Sequence, residues 1–240
     1  MVLQAVIFDL GGTLIYHRTS LPELIQLGYQ ALTDYLMSKE AHLKLDDVSS
    51  VSIQVYNAYE KFAEESFVQL EPSVLYSSIM RQLGVDDFNE DFIEGAVESF
   101  YRLLLNDYDA YPDSEQTLHN LKEKGLKLGL VTNNHSEYFS SHLLQSCDLE
   151  RFFDVIVCSS QLGIRKPHKG IFLHCLRKLG VCQGDAVFVG DEPAHDIRGA
   201  RDAGIRSIWV KRNEHDTTSV MPDWTVKSIS EAEKVIDVLL

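Results

Sequence analysis

AVIFDLGG, residues 5–12, is the stretch from which the rest of the chain can be read. Ala5–Phe8 is an unbroken apolar run without polar alternation, the pattern of a short strand covered on both faces. Asp9 closes the run and Gly11-Gly12 follow, so this strand ends in a carboxylate and a tight turn. The same form recurs after residue 111 in LKLGLVT (126–132), VIVCS (155–159), AVFVGD (186–191) and RSIWV (206–210), with Trp224–Val226 as a short sixth strand. Helical stretches such as Ser114–Lys124 and Lys169–Leu179 lie between them. Strands alternating with helices predict an α/β fold, a parallel sheet with helices on both faces, and the strand at Ala5–Phe8 joins it.

Between those two regions the period changes. Leu21, Leu24, Ile25, Gly28, Leu32, Tyr35 and Leu36 recur at helical spacing behind a Ser20-x-x-Glu23 capping box. Further stripes run through Val48, Val51, Val55, Tyr59, Phe62 and Ser66, through Pro72–Leu83, and from Phe92 to Leu104 behind a cap at Asn89. The expected organisation is a core of residues 1–15 and 106–240, interrupted by an all-helical subdomain of residues 16–105.

The 240 residues carry 22 Lys and Arg against 36 Asp and Glu, a formal net charge of −14. So acidic a chain argues against nucleic acid or an anionic membrane as a partner, because both require a basic face. The helical insert holds 6 of the basic and 15 of the acidic residues. No apolar run reaches membrane-spanning length, and the N-terminal stretch has no basic leader, so the expectation is a cytoplasmic protein. Cys147, Cys158, Cys175 and Cys182 form no CxxC pair and are expected to be reduced. A monomer is compatible with the sequence, which leaves the oligomeric state open.

In open α/β sheets ligands bind beyond the carboxyl ends of the strands. Those ends carry Asp9, then Thr132-Asn133-Asn134, then Arg165-Lys166-Pro167 in a following loop, then Asp191 with Asp196 five residues on. Singly, each has an ordinary role as a helix cap or turn residue. Together they offer carboxylates for an oxygen-preferring divalent cation and a lysine with small donors for a phosphoryl group.

FDLGGTL (8–14), LVTNN (130–134), RKP (165–167) and VGDEPAHDIRGARDAG (189–204) resemble, in order, the four motifs of the haloacid dehalogenase superfamily, in the branch with a helical cap inserted after the first motif. The resemblance implies a Rossmann-like core and an Mg²⁺-dependent phosphohydrolase acting on a small phosphorylated metabolite. Asp9 would be the nucleophile that forms an aspartyl-phosphate. Thr132 and the amide of Asn133 would bind phosphoryl oxygens, and Lys166 would offset the charge of those oxygens and of Asp9. Asp9, Asp191, Asp196 and the Gly11 carbonyl would hold Mg²⁺.

Phosphatases of this superfamily usually carry a second Asp two residues after the nucleophile, to protonate the leaving oxygen. This chain has Gly11, which keeps a carbonyl but cannot donate a proton. The missing help is worth about 10²–10⁴-fold. Either the substrate needs little protonation, as an acyl phosphate or sugar 1-phosphate does, or another residue such as His17 or Glu192 supplies it, or the chain binds metal and phosphate without turnover. Dehalogenases of the superfamily also lack the second Asp but work without metal, and the pair Asp191 and Asp196 counts against them. Phosphonate-cleaving relatives use a cap lysine in a Schiff base, for which Lys39, Lys44 and Lys61 are the available residues.

Overall fold

The computed structural model describes residues 2–39, 43–134, 136–213 and 217–240. Its strands are β1 (Ala5–Phe8), β2 (Ile15–His17), β3 (Tyr108–Ala110), β4 (Lys127–Thr132), β5 (Val155–Cys158), β6 (Ala186–Gly190), β7 (Arg206–Val210) and β8 (Trp224–Val226). Six of them form one sheet in the order β5-β4-β1-β6-β7-β8, with every neighbouring pair parallel. β1 lies in the middle: Phe8 aligns with Leu130 on one side and Val189 on the other. The chain runs outward from β1 through β4 to β5, then crosses back to β6 and runs outward the other way. The order therefore reverses at β1, and the carboxyl ends of β1, β4 and β6 meet at that reversal, where α/β sheets bind ligands.

All four residues of β1 are buried, as a strand covered on both faces requires. On one face Ala5 and Ile7 pack in a cluster with Ile171, Phe172 and Phe188. The rings of Phe172 and Phe188 meet edge to face at 4.9 Å. The covering helix, Lys169–Leu179, has the bounds its period predicts. His168 Nδ1 accepts from the Gly170 amide at its start, and Gly180 closes it at φ 68.

The chain divides into two compact units, Met1–Tyr16 with Asp109–Leu240, and His17–Tyr108. Among the described residues, the second unit contains helices Leu21–Lys39, Leu45–Ser66, Pro72–Gln82 and Glu90–Leu105 around a core that includes Leu32, Leu36, Val48, Val55, Tyr59, Met80, Ile93 and Ala96. The cap at Asn89 forms, its Oδ1 accepting from the Phe92 amide at 2.9 Å. Helix Leu45–Ser66 buries Val48, Ser52, Val55, Tyr59 and Ala63, whereas Phe62 is 48% exposed. The true 3.6-residue face thus runs through small residues that a search for large apolar side chains passes over. β2 and β3 form a separate two-stranded sheet, too short to register as a period. All four cysteines are free thiols, with Cys158 and Cys175 buried. No described helix is long and apolar enough to cross a membrane.

Candidate active site

Asp9 leaves β1 with its amide donating to the Val189 carbonyl (2.9 Å), which ties it to the end of β6. From the turn ahead of helix Lys169–Leu179, the Lys166 ammonium donates to Asp9 Oδ1 (2.5 Å) and to Asp196 Oδ1 (2.7 Å). Asp191 directly follows β6, and its Oδ1 accepts from the Thr13 hydroxyl at 2.8 Å. Pro193–Ile197 forms a π-helical turn, a form common at functional sites. That turn brings Asp196 back toward the strand end, and Asp196 Oδ2 accepts from the Glu192 amide (3.0 Å). Carboxylate oxygens of Asp9, Asp191 and Asp196 all lie within 4.8 Å of one another. Residues spread over nearly two hundred positions of sequence therefore meet at one point.

Thr132, buried, is the last residue of β4, and Asn133 follows it. Here the structure adds a contact that the motifs do not reveal. The Asn133 side chain grips the Lys166 backbone from both sides, Oδ1 accepting from the Lys166 amide (2.8 Å) and Nδ2 donating to its carbonyl (3.0 Å). Gly11 is exposed, with no atom within 4 Å of where a Cβ would stand. Gly12 and Gly190 are the opposite case. A Cβ on Gly12 (φ 75) would sit 2.2 Å from Asp191 Oδ2, and one on Gly190 would sit 2.4 Å from Asp196 Oδ2. These two glycines let the carboxylates fold back against the strand ends.

Electrostatics follow from three carboxylates around one ammonium. Burial acts to lower the Lys166 pKa, but the charges of Asp196 and Asp9 outweigh it and raise the value above the ordinary lysine range. Burial, followed by the charges of Asp9 and Asp196, pushes Asp191 up, against the hydrogen bond from Thr13. Asp196 is likewise raised, by burial and by Asp9 in opposition to Lys166. One lysine does not neutralise the cluster, so a cation is electrostatically favoured there. The donors are hard oxygens, the kind Mg²⁺ prefers, and all lie within 4.8 Å of one another, near enough to converge on one ion. The residues fit such an ion.

Lys166→Met would leave Asp9 and Asp196 facing each other without counter-charge. In metal-free buffer the loss should be about 3–5 kcal/mol, the cost of breaking a buried ion pair. Urea denaturation of the two proteins measures it, and unchanged stability would show that the lysine does not hold the cluster.

Other candidates resolve differently. The Glu192 carboxylate is held by His195 Nδ1 at 2.9 Å, and this hydrogen bond lowers its pKa. Glu192 is therefore an ionised acceptor at neutral pH and a poor proton donor. His17 Nδ1 is engaged by the Thr19 carbonyl at 2.5 Å. Lys39, Lys44 and Lys61 are all exposed, not the buried lysines that Schiff-base chemistry favours. Thr13 and Trp209, whose indole N–H donates to the Asp191 carbonyl (2.9 Å), are contacts that sequence reading did not assign. Thr13 stands inside the first motif, so a signal was present. Trp209 sits in an apolar strand and offered none.

A parallel sheet that reverses at a central strand, with carboxylates and a lysine at the reversal, agrees with the sequence profile of the haloacid dehalogenase-like hydrolases. That profile matches residues 6–210, and the chain belongs to this family. Glyceraldehyde 3-phosphate phosphatase of Methanopyrus kandleri is 30% identical over 166 residues, 68% of this chain and 70% of that protein. N-acylneuraminate-9-phosphatase of Mus musculus is 28% identical over 237 residues, 95% of this chain and 92% of that protein. Among solved structures, 2-haloacid dehalogenase from Pseudomonas syringae pv. Tomato DC3000 superposes with a TM-score of 0.73 at 24% identity, covering both chains completely. At that identity the likeness concerns the fold.

Proposed function

We propose that this chain is an Mg²⁺-dependent phosphatase of a small phosphorylated metabolite, working through an aspartyl-phosphate at Asp9. The observation that carries the reading is the cluster of Asp9, Asp191 and Asp196 around Lys166, with more negative charge than the lysine offsets. A metal-independent dehalogenase has no use for that surplus. The names of the two relatives add support, since both are phosphatases of small phosphorylated compounds.

In the first step an Asp9 carboxylate oxygen attacks phosphorus, the bond from phosphorus to the leaving oxygen breaks, and the leaving group departs with that electron pair. Water then attacks phosphorus, the bond from phosphorus to Asp9 breaks, and inorganic phosphate leaves with the carboxylate restored. Lys166 holds Asp9 in place and neutralises part of the charge facing the incoming anion. Thr132 and the Asn133 amide would hold phosphoryl oxygens, and Asn133 keeps Lys166 at a fixed position. Asp9, Asp191, Asp196 and the Gly11 carbonyl would hold the Mg²⁺ ion, which supplies charge neutralisation at the phosphoryl oxygens.

With Gly11 unable to donate a proton and Glu192 ionised, the leaving oxygen must depart with little help. The favoured substrate is therefore an acyl phosphate or a sugar 1-phosphate. A screen of acyl phosphates, sugar phosphates and nucleotides with and without Mg²⁺ tests this. Turnover should require the metal and be fastest on the compounds with good leaving groups. Metal-bound protein that hydrolyses none of them would favour a binding role instead.

A further inference from the structure

Two adjacent glycines follow Leu10, and glycine restrains a turn less than any other residue. The turn nevertheless has nearly every carbonyl held. Leu10 O accepts from the Leu14 amide (2.8 Å) and the Ile15 amide (3.1 Å). Arg212, just past β7, sends Nε to the Gly12 carbonyl (2.9 Å) and Nη2 to the Thr13 carbonyl (2.7 Å). Leu14 O accepts from the Tyr111 amide (3.0 Å) and the Ser114 hydroxyl (2.8 Å). Among the described residues, the carbonyl of this turn without a donor is that of Gly11. Its peptide plane is fixed all the same, because the Gly12 amide donates to the Ile15 carbonyl at 2.8 Å.

Arg212 is itself anchored. Its guanidinium carbon lies 3.3 Å from the centroid of the Tyr111 ring, and Tyr111 in turn packs against Tyr16 at 4.9 Å. Two N–H groups on one edge of a rigid plane engage two successive carbonyls, and so fix two successive peptide planes. The residue between those planes is Thr13, whose hydroxyl holds Asp191. Arg212 thus touches neither the carboxylate cluster nor the Gly11 oxygen, yet its grip reaches both.

We propose that Arg212 is a positioning residue that stiffens the Gly11-Gly12 turn, so that the Gly11 carbonyl and, through Thr13, the Asp191 carboxylate are aligned for the metal. This rests on the metal-assisted reading given above. Arg212→Met removes both donors. Arg212→Lys keeps one charge but neither the fork nor the planar stacking face.

The test compares wild type with both variants in full-length protein. One arm titrates Mg²⁺ calorimetrically without substrate, and a second measures kcat and KM across Mg²⁺ concentrations. Arg212→Met should weaken Mg²⁺ binding about tenfold or more, the scale seen when partners of metal ligands are removed. Its kcat should fall at limiting Mg²⁺ and recover in part at high Mg²⁺, with substrate KM nearly unchanged. Arg212→Lys should lie between. If Arg212→Met does not fold, Tyr111→Leu keeps the donors, loses the stacking face and should shift Mg²⁺ affinity the same way by less. Unchanged Mg²⁺ affinity with only a lower Tm would overturn the proposal, as would a rise in KM alone. A wild type that binds Mg²⁺ but turns nothing over sinks the phosphatase reading, while the calorimetric arm still decides the role of Arg212.

Discussion

Asp9→Asn should lower kcat by about 10³-fold or more while leaving the fold intact, because in the proposed reaction it replaces the attacking carboxylate with a poorly nucleophilic amide. The stability expectation has the opposite sign to the activity one. Asp9 belongs to a cluster with surplus negative charge, in which it raises the pKa of both Asp191 and Asp196. Taking one carboxylate away relieves that repulsion, so metal-free Asp9→Asn should melt no lower than wild type, despite losing a partner of Lys166. A functional site held in electrostatic tension has this signature, whereas a structural ion pair would lose stability on the same change. Phosphatase turnover and thermal melting on the same preparation are sufficient measurements. Activity retained at wild-type level would falsify the assignment of Asp9 as nucleophile.

Gly11→Asp should give a gain. Nothing stands within 4 Å of a Cβ at Gly11, and its φ lies outside the left-handed region, so a side chain is accepted without strain. A carboxyl there could protonate the leaving oxygen, and the expected gain in kcat/KM is about 10²–10⁴-fold on primary alkyl phosphates. On acyl phosphates, whose leaving group needs no proton, the change should stay below about tenfold. Such selectivity distinguishes restored acid catalysis from better metal binding, which would raise both classes together. An equal rise on both, or none on alkyl phosphates, would show that leaving-group protonation is not what the native chain lacks.

The legible parts of this fold share one physical basis. Strands buried on both faces are apolar throughout, so Ala5–Phe8 and the later runs stand out, and helix Lys169–Leu179 is bounded by a cap and a glycine that local chemistry dictates. Asp9, Asp191 and Asp196 were visible as carboxylates placed just past such runs, and the structure brings them together with Lys166. What stayed hidden depends on pairings between distant residues. The grip of Asn133 on Lys166 spans 33 positions, and that of Arg212 on Gly12 spans 200. No local period encodes either. Ser52 and Ala63 were missed because small residues on a buried helical face look neutral to a pattern built on bulk.

The central place of β1 also bears on how the chain is made. It is the first strand to be synthesised, yet both its neighbours come late: Phe8 must wait for Leu130 on one side and Val189 on the other. During translation the segment that ends in Asp9 is an apolar strand with two open edges, the kind of segment that promotes misassembly. The helices described in His17–Tyr108 are synthesised in that interval, and the first of them, Leu21–Lys39, closes against the last, Glu90–Leu105. Closed before β4 is made, they would shorten the effective loop that β1 must close, and so reduce its entropic cost. In that order of events the insert would serve the nascent core before any substrate is bound.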